Sequence, residues 1–72
     1  MNWEHVEGQW KQVKGKVREK WGKLTDDDLE LVAGQKDRLL GKLQERYGDQ
    51  KDKLEAELDR FVSDLGKDVP KH

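Results

Sequence analysis

The sequence predicts an all-α protein, a small bundle of four or five helices. Apolar residues recur at steps of three and four, the spacing of a helix face. Turn and cap residues separate these runs, and a fifteen-residue stretch repeats at an offset of 26.

The first run places Trp3, Val6, Trp10, Val13, Val17, Trp21 and Leu24 on one narrow stripe at about 100° per residue. The spacing predicts a helix over 3–22, with Gly22 as its C-terminal stop. Thr25-Asp26-Asp27-Asp28 reads as the next helix start. Thr25 can cap orphan backbone N–H groups, and the carboxylates suit the positive end of the helix dipole. Leu29, Leu31 and Val32 follow, and Gly34 ends a short helix over 26–33. Leu39, Leu40, Leu43 and Tyr47 mark a third helix over 35–47, closed by Gly48. Asp49 is the expected cap of a fourth over 50–65, where Leu54, Leu58, Phe61, Val62 and Leu65 share a face until Gly66. The expected core comprises Trp10, Val13, Val17, Trp21, Leu29, Val32, Leu39, Leu43, Tyr47, Leu54, Leu58 and Phe61. No Pro/Ser-rich linker divides the chain, so residues 1–66 read as one domain. Residues 67–72, with Pro70, read as a frayed tail.

The repeat aligns residues 8–22 with residues 34–48. Gly8/Gly34, Gln9/Gln35, Gly15/Gly41, Lys16/Lys42, Glu19/Glu45 and Gly22/Gly48 are identical pairs. Val13/Leu39, Val17/Leu43, Lys20/Arg46 and Trp21/Tyr47 keep their chemistry. Two helical units packed face to face are expected, since neither buries its stripe alone. Gly22, Gly34 and Gly48 read as stops. Gly8, Gly15 and Gly41 lie roughly opposite the stripe, where an interior glycine costs about 0.8–1.0 kcal/mol against alanine. They are either a tolerated loss or sites of close backbone approach.

Composition bounds the function. The chain has 72 residues, no cysteine, 43% charged and 32% hydrophobic residues. Ordinary domains carry about 25% charged and 45–50% apolar residues, and a core this small supplies no more than about 3–5 kcal/mol. Low stability is expected. The net charge of −1 hides an asymmetry: residues 1–24 carry six bases and three acids, residues 25–72 nine bases and thirteen acids. No apolar run reaches transmembrane length, and no signal-peptide pattern opens the chain. A cytoplasmic location is expected.

Catalysis finds little support. His5 and His72 sit near the termini, Ser63 and Thr25 are the sole hydroxyl amino acids besides Tyr47, and Thr25 already serves as a cap. A nucleophile needs a base within hydrogen-bond reach. Calcium loops spread their oxygen ligands over alternating positions with a turn glycine, so Asp26-Asp27-Asp28 reads as a first-turn dipole cluster rather than a cation site. Gly15-Lys16 and Gly41-Lys42 lie inside helices and lack the Ser or Thr of a phosphate loop. The first helix is a candidate binding surface. Lys11, Lys14 and Arg18 flank its stripe on one side, and Lys16, Lys20 and Lys23 on the other. This suits nucleic acid phosphates or an anionic membrane surface. The competing reading is a core stripe whose lysine stems cover its edges.

The segments Trp10-Lys11-Gln12-Val13-Lys14-Gly15-Lys16-Val17, Trp21-Gly22-Lys23-Leu24-Thr25-Asp26-Asp27-Asp28 and Gly41-Lys42-Leu43-Gln44-Glu45-Arg46-Tyr47-Gly48 resemble the signature of the CsbD-like family. The likeness runs from about Asn2 to Lys53. Its signature positions are Trp10, Gly15, Lys16, Trp21, Gly22, Leu24, Asp26, Asp27, Gly34, Gly41, Tyr47 and Gly48. The resemblance implies bacterial origin, a general stress response, and two helical hairpins packed crosswise in a SAM-domain-like way. It implies no catalytic residue, no cofactor, no metal and no small-molecule substrate. Three functions stay in play: a hydrophilic protective or accessory factor, a nucleic-acid-binding module using the first helix, and an adaptor that binds a protein partner through the glycine face.

Overall fold

A computed structural model describes residues 2–67 of the chain. They form five helices: α1 (Trp3–Gly8), α2 (Trp10–Lys20), α3 (Asp26–Val32), α4 (Lys36–Tyr47) and α5 (Lys51–Lys67). No strand occurs among the described residues.

The all-helical expectation holds, but the first helix is two. The chain breaks at Gln9, whose φ of −115° and ψ of 29° leave the helical region. Gln9 caps the end of α1 and opens α2; its repeat counterpart Gln35 opens α4 with a more extended backbone, φ −90° and ψ 126°. The repeat is thus a unit of architecture. In each copy a Gly-Gln pair lies at the junction of a short helix and a longer one, Gly8 as the last residue of α1 and Gly34 just beyond the end of α3. The short helix α1 starts on Asn2, whose side chain accepts from the His5 N–H at 2.9 Å.

Nine of the twelve expected core residues are buried: Val13, Val17, Trp21, Leu29, Val32, Leu39, Leu43, Leu54 and Leu58. Trp10, Tyr47 and Phe61 are half-buried and pack against that core. Val6, Leu24, Leu40 and Val62 join it. Leu40 is buried beside Leu39 because α4 packs on both α3 and α5. A helix held between two neighbours hides a wider face than a single stripe. Trp10 stays near the surface yet crosses to α3, its indole N–H donating to the Leu29 carbonyl at 2.8 Å. Trp21 meets Phe61 edge-to-face at 5.1 Å, which joins the end of α2 to α5.

The ends of the helices differ in detail from the sequence reading. Ala33, not Gly34, takes the left-handed cap of α3, with φ 49°. Gly34 follows at φ 80°, and a Cβ there would stand 2.6 Å from the Glu7 Cα. The glycine lets α1 lie directly against the α3–α4 corner. Gly48 closes α4 at φ 70° as expected. The first backbone bond of α5 runs from the Leu54 N–H to the Gln50 carbonyl at 3.1 Å, so Gln50 rather than Asp49 holds the cap position. Gly66 does not stop α5, which continues to Lys67. The rest of the expected frayed tail lies outside the described residues.

Candidate anionic-partner face

The basic residues of the first two helices are set by α2 and the turn after it. Val13 and Val17 face inward and fix the helix rotation. That rotation sends the flanking cations to two different borders. On one border Arg18 pairs with Asp26 at the start of α3, Lys14 is half-buried and Lys11 is exposed. On the other, Lys16 and Lys20 line a shallow hollow with Glu19, Phe61, Asp64 and Leu65. The Lys20 ammonium lies 5.4 Å from the Trp21 ring centroid. Lys23 sits beyond the helix, its ammonium 5.0 Å from the Tyr47 ring and its backbone N–H donating to the Tyr47 hydroxyl at 3.2 Å.

The six cations therefore do not form one continuous patch. Glu19 and Gln12 occupy the outward face between the two rows, with Gly15 beside them. Arg18 is neutralised by Asp26, and Lys20 and Lys23 spend part of their surface on aromatic rings. Lys11, Lys14 and Lys16 join no ion pair among the described residues.

A second polar centre is absent from the sequence reading. Asp28 is only 3% exposed. Its Oδ2 accepts from Arg46 Nε at 2.9 Å and its Oδ1 from Arg46 Nη2 at 3.0 Å. The Asp28 N–H donates to Thr25 Oγ1 at 3.1 Å, and the Thr25 N–H donates back to Asp28 Oδ2 at 3.1 Å. This is a capping box with aspartate in the usual glutamate place. Lys42 Nζ approaches Asp28 Oδ1 at 3.8 Å. The Arg46 fork holds the Asp28 carboxyl well below the usual carboxylate range, the Thr25 N–H adds to this, and burial opposes it. The Thr25-x-x-Asp28 spacing signals the cap from sequence; nothing in the sequence signals Arg46, eighteen residues away.

The three aspartates thus diverge. Asp26 pairs with Arg18, Asp27 is exposed and Asp28 turns inward. No group of three or more potential metal ligands occurs among the described residues. Ser63 is exposed on α5, and the Thr25 hydroxyl is committed to its cap. No described helix is long and apolar enough to cross a membrane. The positions expected to form the family signature differ in their surroundings. Trp21 and Leu24 are core, Gly34 and Gly48 are left-handed positions, and Gly15 and Gly41 meet nothing within 4 Å of an added Cβ.

Fold and surface define a small all-helical protein with a highly charged exterior. The CsbD-like family profile matches residues 4–56. The UPF0337 protein YjbJ of Escherichia coli O6:H1 is 59% identical over 61 residues, covering 85% of this chain and 88% of that protein. The UPF0337 protein RPA4217 of Rhodopseudomonas palustris is 57% identical over 65 residues, covering 90% of this chain and 98% of that protein. No solved structure matches the chain. The chain belongs to the CsbD-like family.

Proposed function

We propose that this chain is a non-enzymatic general stress-response protein of the bacterial cytoplasm, acting as a hydrated protective factor. The observation that carries the reading is the surface. Leu31 is the one large hydrophobic side chain exposed among the described residues, on a chain of which 43% is charged with a mean hydropathy of −1.20. Large apolar patches mark partner sites and drive association; a mixed-charge surface stays dispersed at high concentration. Family membership supports the same reading. The test is survival of a labile enzyme through drying. Protection should rise with the mass of added protein and exceed that of an equally small helical protein of average charge. Equal protection by the two proteins counts against the reading.

A second reading rests on Lys11, Lys14 and Lys16 of α2, which join no ion pair among the described residues. Contact with nucleic acid phosphates through these cations would give an affinity that falls steeply with salt. Titration of a labelled DNA duplex tests it. The excess of acids in residues 25–72 repels the same backbone, so binding is expected to vanish near physiological salt.

A further inference from the structure

The exposed Leu31 is out of keeping with the rest of the surface, and it borders a broad open hollow. Leu31 and Val32 of α3 and Arg38, Gly41, Lys42 and Glu45 of α4 line this groove of about 480 Å³. Leu31 keeps 60% of its surface in solvent. Gly41 forms a flat place in the groove, where an added Cβ meets nothing within 4 Å. A glycine inside α4 weakens the helix, and no close approach among the described residues explains it.

The charges beside Gly41 have a symmetry of their own. Arg38 and Glu45 are seven residues apart on one side of α4, two turns or about 10.5 Å along the axis. An antiparallel copy of α4, centred between Gly41 and Lys42, brings Arg38 of each chain opposite Glu45 of the other. Lys42 does not oppose this, because its ammonium is held toward its own chain, 3.4 Å from Glu45 and 3.8 Å from Asp28. Arg38 donates to the Leu31 carbonyl at 3.1 Å, which sets the cation and the apolar side chain at one rim. The same patch is thus complementary to itself, as a two-fold contact requires.

We propose that this groove is a self-association surface: a second copy of the chain docks antiparallel across Gly41, with Leu31 of each copy in the groove of the other and two Arg38–Glu45 pairs closing the rim. The patch is small, and contacts below about 1,200 Å² are weak and transient. The dimer forms at high protein concentration and dissociates on dilution. The inference does not depend on the protective role.

Sedimentation equilibrium of the full chain from about 10 μM to 2 mM tests it. The apparent mass should rise from 8.5 kDa toward twice that value. Arg38→Glu alone and Glu45→Arg alone should each remain monomeric, because each sets like charges opposite one another. An equimolar mixture of the two variants should associate again, since every facing pair in the mixed dimer then joins one acid to one base. Leu31→Asp should abolish association with and without mixing. Circular dichroism melts of every variant show that the fold is kept. A wild-type chain that stays monomeric at the highest concentration, or single variants that associate as the wild type does, overturns the proposal. So does a folded mixture that fails to associate where the wild type does.

Discussion

Asp28 serves two structures at once. Its carboxylate closes the start of α3 through Thr25 and ties that start to the end of α4 through Arg46. The fork and the Thr25 N–H stabilise the charged form, so the folded-state pKa lies below the unfolded value of about 3.9. A depressed carboxylate contributes stability that is complete above the unfolded pKa and is lost as pH falls toward the folded one. Wild-type protein should therefore lose melting temperature as pH drops below about 4. Asp28→Asn should melt lower at pH 7 and lose less on acidification, so that the two curves converge in acid. Thermal melts from pH 7 to pH 2 check this, and parallel curves contradict it. Part of this centre is legible in the sequence. Thr25 and the acidic first turn announce a helix start. The pairing with Arg46 is not legible, because it depends on how α3 packs against α4 rather than on any local spacing.

At the scale of elements, the repeat explains more than the hydrophobic stripe does. The stripe runs evenly from Trp3 to Leu24 and so predicts one helix, although the chain breaks at Gln9. Periodicity reports which side faces the core and says nothing of a bend that keeps the side the same. The repeat carries the missing signal: Gly34-Gln35 joins two helices, and Gly8-Gln9 is its aligned counterpart. The glycines then separate by role. At Gly34 the left-handed backbone and the 2.6 Å approach to Glu7 both oppose a side chain. Gly34→Ala should destabilise by about 2–4 kcal/mol, combining a left-handed residue with an overpacked contact. Gly15 and Gly41 lie inside α2 and α4 with open space around a Cβ. Gly15→Ala and Gly41→Ala should each stabilise by about 0.5–1 kcal/mol. Urea unfolding at low protein concentration measures all three. Stabilisation by Gly34→Ala would contradict the close approach, and loss of stability in Gly15→Ala or Gly41→Ala would contradict their open surroundings.

At the scale of the molecule, thirteen buried apolar side chains hold five helices among the described residues, in a chain without cysteine. Val17 and Leu43 occupy matching positions of the two repeats, and both are fully buried. A buried Leu→Ala change costs about 2–5 kcal/mol, against a total of about 3–5 kcal/mol for a domain of this size. Leu43→Ala should abolish the cooperative melt, and Val17→Ala should lower its midpoint. Retention of a wild-type melt by both would show that the repeat stripes do not carry the fold. The fold class, most of the core and the family were legible because they rest on local periodicity and ordered motifs. The dispersal of the α2 cations was not. Which neighbours take Arg18 and Lys23 follows from where α3 and α4 pass. Under the proposed protective role, action belongs to the hydrated surface and needs no single cationic site. The measurement that tests this is recovery of a dried enzyme against the amount of added protein, for wild type and for Lys16→Glu/Lys20→Glu. Superimposable curves that keep rising with protein mass are expected. A wild-type curve that saturates at a fixed molar ratio to the enzyme, or a folded variant that no longer protects, would contradict that role.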